Sequence, residues 1–326
     1  MKTQRDEFIE KLFIEAKNNS DIVFISVDMG APALDQWREQ LPNQFIVAGI
    51  SEQNAINLAA GLSRAGKKPY VYMMACWVAR CFEQIRYSCA MAQNPITILG
   101  AGVGLGYAPA GPAHEPTEDL AYMRAIESIE IFSPSSIGLI QPIVNLTIAV
   151  PKLRYIRLER SVSEHVNNYK TSKTFSEVVD SGNQIFKEFC LSDKKAKVTI
   201  LSSGYLLQRV YDASVILQKE FKIDVQIVDV VRIKPLNIHN IIDMVHDSNF
   251  IVTVEEQAVS AAFGAAIVEG LSDQLFQAFV LRLGLKTAYV FENGTRDQLL
   301  DSNGLSIINI VHKVNEFVEA QRNRVG

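Results

Sequence analysis

The run Ile22-Val23-Phe24-Ile25-Ser26-Val27 shows no polar–apolar alternation. A strand with one wet face would alternate, so this one must be covered on both faces. A parallel sheet between layers of helices supplies that cover. The pattern then recurs. Phe45 to Ile50, Tyr70-Val71-Tyr72-Met73, Ile96-Thr97-Ile98-Leu99, Ile129-Glu130-Ile131-Phe132 and Arg154 to Leu158 all read as strands. Helical spacing fills 7–18, 53–65, 77–92, 117–126 and 136–148. Strand and helix alternating at these lengths predict a doubly wound parallel sheet.

From 161 to 197 the sequence turns polar and irregular. It reads as a linker over the surface, with a short helix near 183–189. A second α/β unit follows. Its strands are predicted at 198–201, 225–228, 250–253 and 278–281, and its helices near 205–220, 238–246, 260–273 and 306–321. The expected organisation is therefore 1–160, a linker over 161–197, and 198–326. The fold class is α/β, with two doubly wound parallel-sheet domains. A chain of 326 residues can give each domain its own core.

The net charge of −4, with no basic run interleaved with aromatics, argues against a nucleic-acid or anionic-membrane surface. No apolar stretch is long enough to span a bilayer. The polar start, Met1-Lys2-Thr3-Gln4-Arg5-Asp6-Glu7, reads as the opening of an amphipathic helix rather than a signal peptide. Cys76, Cys81, Cys89 and Cys190 form no CxxC pair and suggest no disulfide framework or metal site. The expectation is a cytoplasmic protein.

Several residues after strand ends could carry chemistry. Gly49-Ile50-Ser51-Glu52-Gln53-Asn54 puts one carboxylate at a strand-to-helix junction with apolar sequence on both sides. Open α/β sheets bind ligands at such junctions. A carboxylate in an apolar pocket is also hard to ionise. The segment equally describes an ordinary helix start, with Ser51 as N-cap and Glu52 favoured by the helix dipole. Met74 and Trp77 follow the third strand, where a Trp is as often core as site. Glycines recur from Gly100 to Gly106, and Gly111-Pro112-Ala113-His114 closes the same loop. The run matches no phosphate fingerprint: no acidic ribose partner follows and no Gly-Lys-Ser/Thr is present. His114 could be a loop histidine without a catalytic task, and Glu118 and Asp119 suit the first turn of a helix.

Taken together these pieces resemble the transketolase group of thiamine diphosphate enzymes. Residues 22–158 are similar to its pyrimidine-binding domain and 198–318 to its C-terminal domain. The resemblance rests on Gly49 to Asn54, Ala59-Ala60-Gly61-Leu62, Gly66 to Tyr70, Trp77 through Arg86, and Gly111 to Leu120. In the second half it rests on Ile233-Lys234-Pro235-Leu236 and Val254-Glu255-Glu256.

The resemblance implies roles. Glu52 would hydrogen-bond the cofactor's aminopyrimidine ring nitrogen, and Trp77 would stack on that ring. Met74 would fill the space of a second aromatic, and Arg80 and Asp28 would lie on the cofactor side. His114 would contact the donor sugar's oxygens and act in proton transfer. Arg160 would bind a substrate phosphate, with Arg157 its competitor. The activity implied is transfer of a two-carbon ketol unit from a ketose to an aldose.

Three departures qualify this. No Gly-Asp-Gly occurs, so thiamine diphosphate would be shared with, and Mg²⁺ held by, a separate N-terminal subunit carrying that motif. An α2β2 heterotetramer with self-association is the expected assembly. Ala110 stands where the family has an acidic residue, in a loop lengthened by about two residues around Tyr107-Ala108-Pro109. Gly100 stands where the family has a phosphate-binding histidine. These changes point to an atypical sugar: unphosphorylated, branched or nucleotide-linked. The alternatives are the β subunit of a 2-oxo acid dehydrogenase and a non-catalytic regulatory subunit.

Overall fold

The computed structural model describes residues 2–160, 173–186, 198–248, 250–285 and 289–325. Helix α1 (Gln4–Ala16) starts at Thr3, whose side chain accepts from the Asp6 amide, and buries Phe8, Ile9, Leu12 and Phe13. β1 (Ile22–Val27) is buried along its whole length, as its unbroken apolar run requires. A short helix, α2 (Asp35–Gln40), carries the buried Trp37 and precedes β2 (Phe45–Gly49).

Helix α3 (Glu52–Arg64) buries Glu52, Ala55, Ile56, Ala59 and Ala60. Those positions are one helical stripe, so the same face that packs on the sheet carries Glu52 inward. β3 (Lys68–Met74) follows. The single helix expected over 77–92 is instead a 3₁₀ segment (Ala75–Cys81), one turn of α-helix α4 (Phe82–Gln84) and a π-helical segment (Ile85–Met91). Cys76, Cys81 and Cys89 carry free thiols there, and Cys190 lies outside the described residues. β4 (Thr97–Ala101), α5 (Asp119–Arg124), β5 (Glu130–Phe132), α6 (Ile140–Ala149) and β6 (Arg154–Leu158) complete this half.

The stretch read as linker is more ordered than expected wherever it is described. Thr174 and Glu177 form a capping box at the start of α7 (Phe175–Ser181). Gly182, at φ +84°, ends that helix. The helix expected near 183–189 is a strand over its described part, β7 (Asn183–Phe186); 187–189 lie outside the described residues. Gly182 turns the chain, and the next four residues pair antiparallel with Val230 to Ile227. The second half continues with β8 (Val198–Ser202), α8 (Leu207–Phe221), β9 (Val225–Val230), β10 (Arg232–Lys234) and α9 (Ile238–Val245). It ends with β11 (Phe250–Ala258), α10 (Phe263–Asp273), β12 (Phe279–Leu285), α11 (Arg296–Leu300) and α12 (Ile307–Val325).

Two α/β sheets result. One has the order β10-β5-β6-β4-β3-β1-β2, the other β12-β11-β8-β9-β7. Every neighbouring pair is parallel except β10 with β5 and β7 with β9. β10 comes from the second half of the chain yet pairs with the first sheet: Arg232 faces Phe132 and Lys234 faces Ile131. The ammonium of Lys234 donates to the carbonyls of Arg124 and Ile126 at 2.7 Å each. No helix among the described residues is long and apolar enough to cross a membrane.

Candidate active site

The parallel order β6-β4-β3-β1-β2 brings the carboxyl ends of these strands to one edge, and Glu52, Met74, Trp77, Arg80 and His114 follow strands that end there. Glu52 is buried to 3 % exposure at the first turn of α3, just after β2. Ser51 occupies the N-cap position but does not cap the helix: its hydroxyl donates back to the Ala48 carbonyl at 2.5 Å. The partner of Glu52 is Arg80, whose Nη1 lies 3.2 Å from Oε2. The Gln53 side-chain amide donates to the Arg80 carbonyl at 3.1 Å, tying the 3₁₀ segment to α3.

Met74 is buried at the end of β3. Trp77, half-buried on the 3₁₀ segment, lies between two partners. The Arg80 guanidinium carbon is 5.9 Å from its ring centre, and the His114 ring is 6.4 Å away, tilted by 60°. Glu52, Arg80, Trp77 and His114 therefore form one chain of contacts. His114 sits on a tight turn (Pro112–His114) set by Gly111 at φ +78°. Its Nδ1 is buried and has no hydrogen-bond partner within the chain.

The remaining predicted residues divide. Asp28 is exposed at the end of β1, where its amide donates to the Gly49 carbonyl at 3.2 Å. Ala110 is exposed on the turn Ala108–Ala110. Arg160 is exposed just past β6, with its guanidinium carbon 4.3 Å from the centre of the Tyr107 ring. Arg157 is not on that surface. It is 6 % exposed, its Nε donates to Asp119 Oδ2 at 2.8 Å and its Nη1 to Ser133 at 3.0 Å. Tyr155 donates to the same Asp119 oxygen at 2.8 Å.

Gly100 has a structural reason in this neighbourhood. A Cβ there would meet Tyr155 Cε2 at 2.5 Å. The space that a β4 side chain would take is filled by the Tyr155 ring.

Two features go beyond the sequence reading. Glu115, within the Gly111-to-Leu120 motif but given no role there, is 4 % exposed and neither carboxylate oxygen has a partner within the chain. Burial, with Glu256 and Glu292 nearby, pushes its carboxyl up to about 7. The second is Arg296. Its Nε and Nη1 donate to Glu256 Oε1 and Glu159 Oε2, each at 2.7 Å, and its Nη2 to the Val103 carbonyl at 3.3 Å. Glu256 Oε1 also accepts from the Leu105 amide at 2.9 Å. Burial opposes the Arg296 charge, but Glu159 and Glu256 override it and raise its pKa. This buried cluster clamps the glycine loop between the ends of β6 and β11. Next to it, Glu255 accepts from the Phe263 and Gly264 amides at 2.7 and 2.9 Å, at the start of α10.

The arrangement suits an aromatic heterocycle at its acidic end. A buried carboxylate, an aromatic shelf and an imidazole with a bare ring nitrogen face one edge. It offers little to a metal: no group of three or more His, Cys, Asp or Glu side chains among the described residues could hold one.

Comparison with known proteins gives a consistent result. Residues 4–164 match the transketolase pyrimidine binding domain, and residues 190–310 the transketolase C-terminal domain. One of the subunits of the apulose-4-phosphate transketolase of Phocaeicola vulgatus is 30% identical, over 82% of this chain and 83% of that protein. A 1-deoxy-D-xylulose-5-phosphate synthase of Synechococcus sp. is 29% identical over 90% of this chain, which spans only 44% of that protein. Among solved structures, a split gene transketolase described as an inactive β4 tetramer superposes with a TM-score of 0.83 at 27% identity, covering 97% of this chain and 98% of that one.

Proposed function

The chain belongs to the transketolase family, and from that premise we propose that it is one half of a two-chain enzyme that moves a two-carbon ketol unit between sugars. The family implies thiamine diphosphate as cofactor. The observation that carries the reading is the contact chain from buried Glu52 through Arg80 and Trp77 to His114, whose Nδ1 has no partner within the chain.

Each residue then has a task. Glu52 hydrogen-bonds and orients the aminopyrimidine ring, and the 3.2 Å contact with Arg80 is what the ring competes with. Trp77 stacks on that ring, and buried Met74 keeps water from behind it. Thiamine diphosphate, when bound, supplies the nucleophilic carbon that attacks a ketose carbonyl. His114 hydrogen-bonds the sugar oxygen on which charge develops, and gives or takes its proton.

The diphosphate and Mg²⁺ belong to a partner chain on this reading, because the sequence holds no Gly-Asp-Gly. The likeness to a split gene transketolase that is inactive as a β4 tetramer supports both self-association and dependence on a partner. An α2β2 complex follows. Ala110 and Gly100 support a sugar other than an ordinary pentose phosphate. The relative named for apulose-4-phosphate supports a specialised ketose.

The test is reconstitution with an N-terminal chain bearing Gly-Asp-Gly. A ketose and an aldose should yield a transferred two-carbon unit, and Glu52→Gln should lower kcat by about 10²-fold or more. Turnover only with a 2-oxo acid and lipoamide, or full activity in the variant, would remove the reading.

A further inference from the structure

The sheet edge opposite Glu52 holds a cavity of about 650 Å³, within the size range of small-molecule sites. Pro95, Ile129 and Leu153 line it just before β4, β5 and β6 begin. Lys234 and Pro235 line it from the second half of the chain. They reach it because β10 runs antiparallel to β5, which sets the end of β10 beside the start of β5. Pro151 completes an apolar wall. Three of these residues are prolines, with fixed φ and no N–H to satisfy, so the wall is stiff before any ligand arrives. Gln93 (φ +53°) and Ser128 (φ +60°) also line the cavity, in left-handed backbone that residues other than glycine seldom adopt. Such backbone costs energy and collects at binding sites.

The polar side of the wall is cationic. Lys152 Nζ lies 2.6 Å from Glu130 Oε1 and Arg154 Nε 2.7 Å from Oε2, so each oxygen of the one lining carboxylate is already taken. Lys234 has no carboxylate within ion-pair distance among the described residues. Its ammonium uses two N–H groups on the carbonyls of Arg124 and Ile126, which leaves a third. Burial, aided by Arg124 and opposed by Glu127, holds its pKa below the ordinary lysine value, as befits a cation short of counter-charge. No aromatic side chain among the described residues lines the cavity, so nothing there stacks on a base or a flat ring. A single spare ammonium N–H at the end of an aliphatic wall suits one carboxylate on an aliphatic body.

We propose that this cavity is a second ligand site, which takes an aliphatic monocarboxylate with its carboxylate on Lys234 and its chain along the prolines. The site lies away from Glu52 and does not rest on the ketol-transfer reading, so failure of either leaves the other standing. A ligand there touches both halves of the chain, since Pro95 and Pro151 belong to one and Lys234 and Pro235 to the other.

The test is calorimetric titration of the full chain with octanoate, 1-octanol and acetate at neutral pH. Octanoate should bind about 10-fold or more tightly than either, because 1-octanol lacks the charge and acetate the chain. Lys234→Met should bring octanoate down to the affinity of 1-octanol. Ala90→Phe, at a small residue that lines the cavity, should fill it and abolish binding of both while Lys234 stays in place. Leu275→Ser, at an exposed leucine outside the cavity, should change nothing. Octanoate should also raise the wild-type melting temperature. Should either cavity variant fail to fold, the other decides. No binding of octanoate at millimolar concentration, equal affinity for octanoate and 1-octanol, or wild-type affinity in a folded Lys234→Met or Ala90→Phe variant would each overturn the proposal. Loss of binding in Leu275→Ser would overturn it too, as association with exposed apolar surface.

Discussion

Glu52 and Glu256 are both buried glutamates facing an arginine, and their surroundings differ in kind. Glu256 is held in a closed cluster by Arg296 and the Leu105 amide, with Glu159 on the same guanidinium. Glu52 meets one guanidinium nitrogen at 3.2 Å, from an arginine side chain that is 51% exposed. In the closed cluster one guanidinium is shared by two carboxylates and the Leu105 amide completes it, so each group already has a partner within the chain. A buried carboxylate with one replaceable partner can exchange it. The first arrangement holds loop and strands together, and the second is the one the proposed function assigns to the cofactor. Glu115 is a third case, buried with no partner within the chain for either oxygen.

The comparison breaks most visibly at Arg296. Arg296→Leu leaves Glu159 and Glu256 buried without a counter-charge, and breaking a buried pair from one side costs roughly 3–5 kcal/mol. Urea unfolding should show that loss. Adding Glu256→Gln to the variant should restore part of it, because one uncompensated carboxylate is removed. A loss below about 1 kcal/mol would mean that the cluster is no more than a surface ion pair.

Glu115 sharpens the comparison through pH. Its carboxyl is raised from an ordinary value near 4.5 to about 7, chiefly by burial. Between those values the folded chain keeps a proton that the unfolded chain has lost, so stability falls as pH rises through the window. Glu115→Gln removes the titrating group. The variant should match the wild type near pH 4.5 and exceed it by on the order of 1–3 kcal/mol at pH 8. Glu255 and Asp229 are also raised, to about 7 and about 6, so the difference between variant and wild type is the quantity to read. Parallel stability curves for the two proteins would show that Glu115 does not carry the slope.

The sequence reaches these sites unequally. Glu52 is legible because it stands at a strand-to-helix junction between apolar runs, and the structure places it on the buried stripe of positions 52, 55, 56 and 59. Trp77 and His114 are each ambiguous alone; their 6.4 Å approach follows from β3 lying beside β4, which only the sheet order reveals. The capping box of Thr174 and Glu177 is readable, but the polar stretch around it suggests a linker. β10 is not readable at all, since a three-residue strand gets its partner from the other half of the chain. Arg296 gives no local sign of its role. It stands one residue after a helix cap, while its carboxylates lie 40 and 137 residues away. Arg157 fits the same spacing as Arg160, and only the buried Asp119 distinguishes the two.

The smallest expected effect on stability belongs to the pair that the proposed function places at the cofactor. Arg80 is half exposed, so water can replace its guanidinium at the buried Glu52 oxygen, and losing the contact costs less than at Arg296, on the order of 1–2 kcal/mol. Arg80→Ala should therefore lower the urea midpoint less than Arg296→Leu does, and Glu52→Gln, which keeps shape and a hydrogen-bonding side chain, should do the same. The contrast with Arg296 then lies in what else is lost. In the reconstituted complex Glu52→Gln should be nearly inactive while remaining folded. Arg80→Ala should retain turnover, with the change falling on the cofactor concentration needed for half-maximal rate, because it removes only the competitor for the Glu52 oxygen. Should Arg80→Ala cost as much stability as Arg296→Leu, the Glu52 pair would be architecture too, and the distinction between a closed carboxylate cluster and an open one would fail at the residue on which it rests.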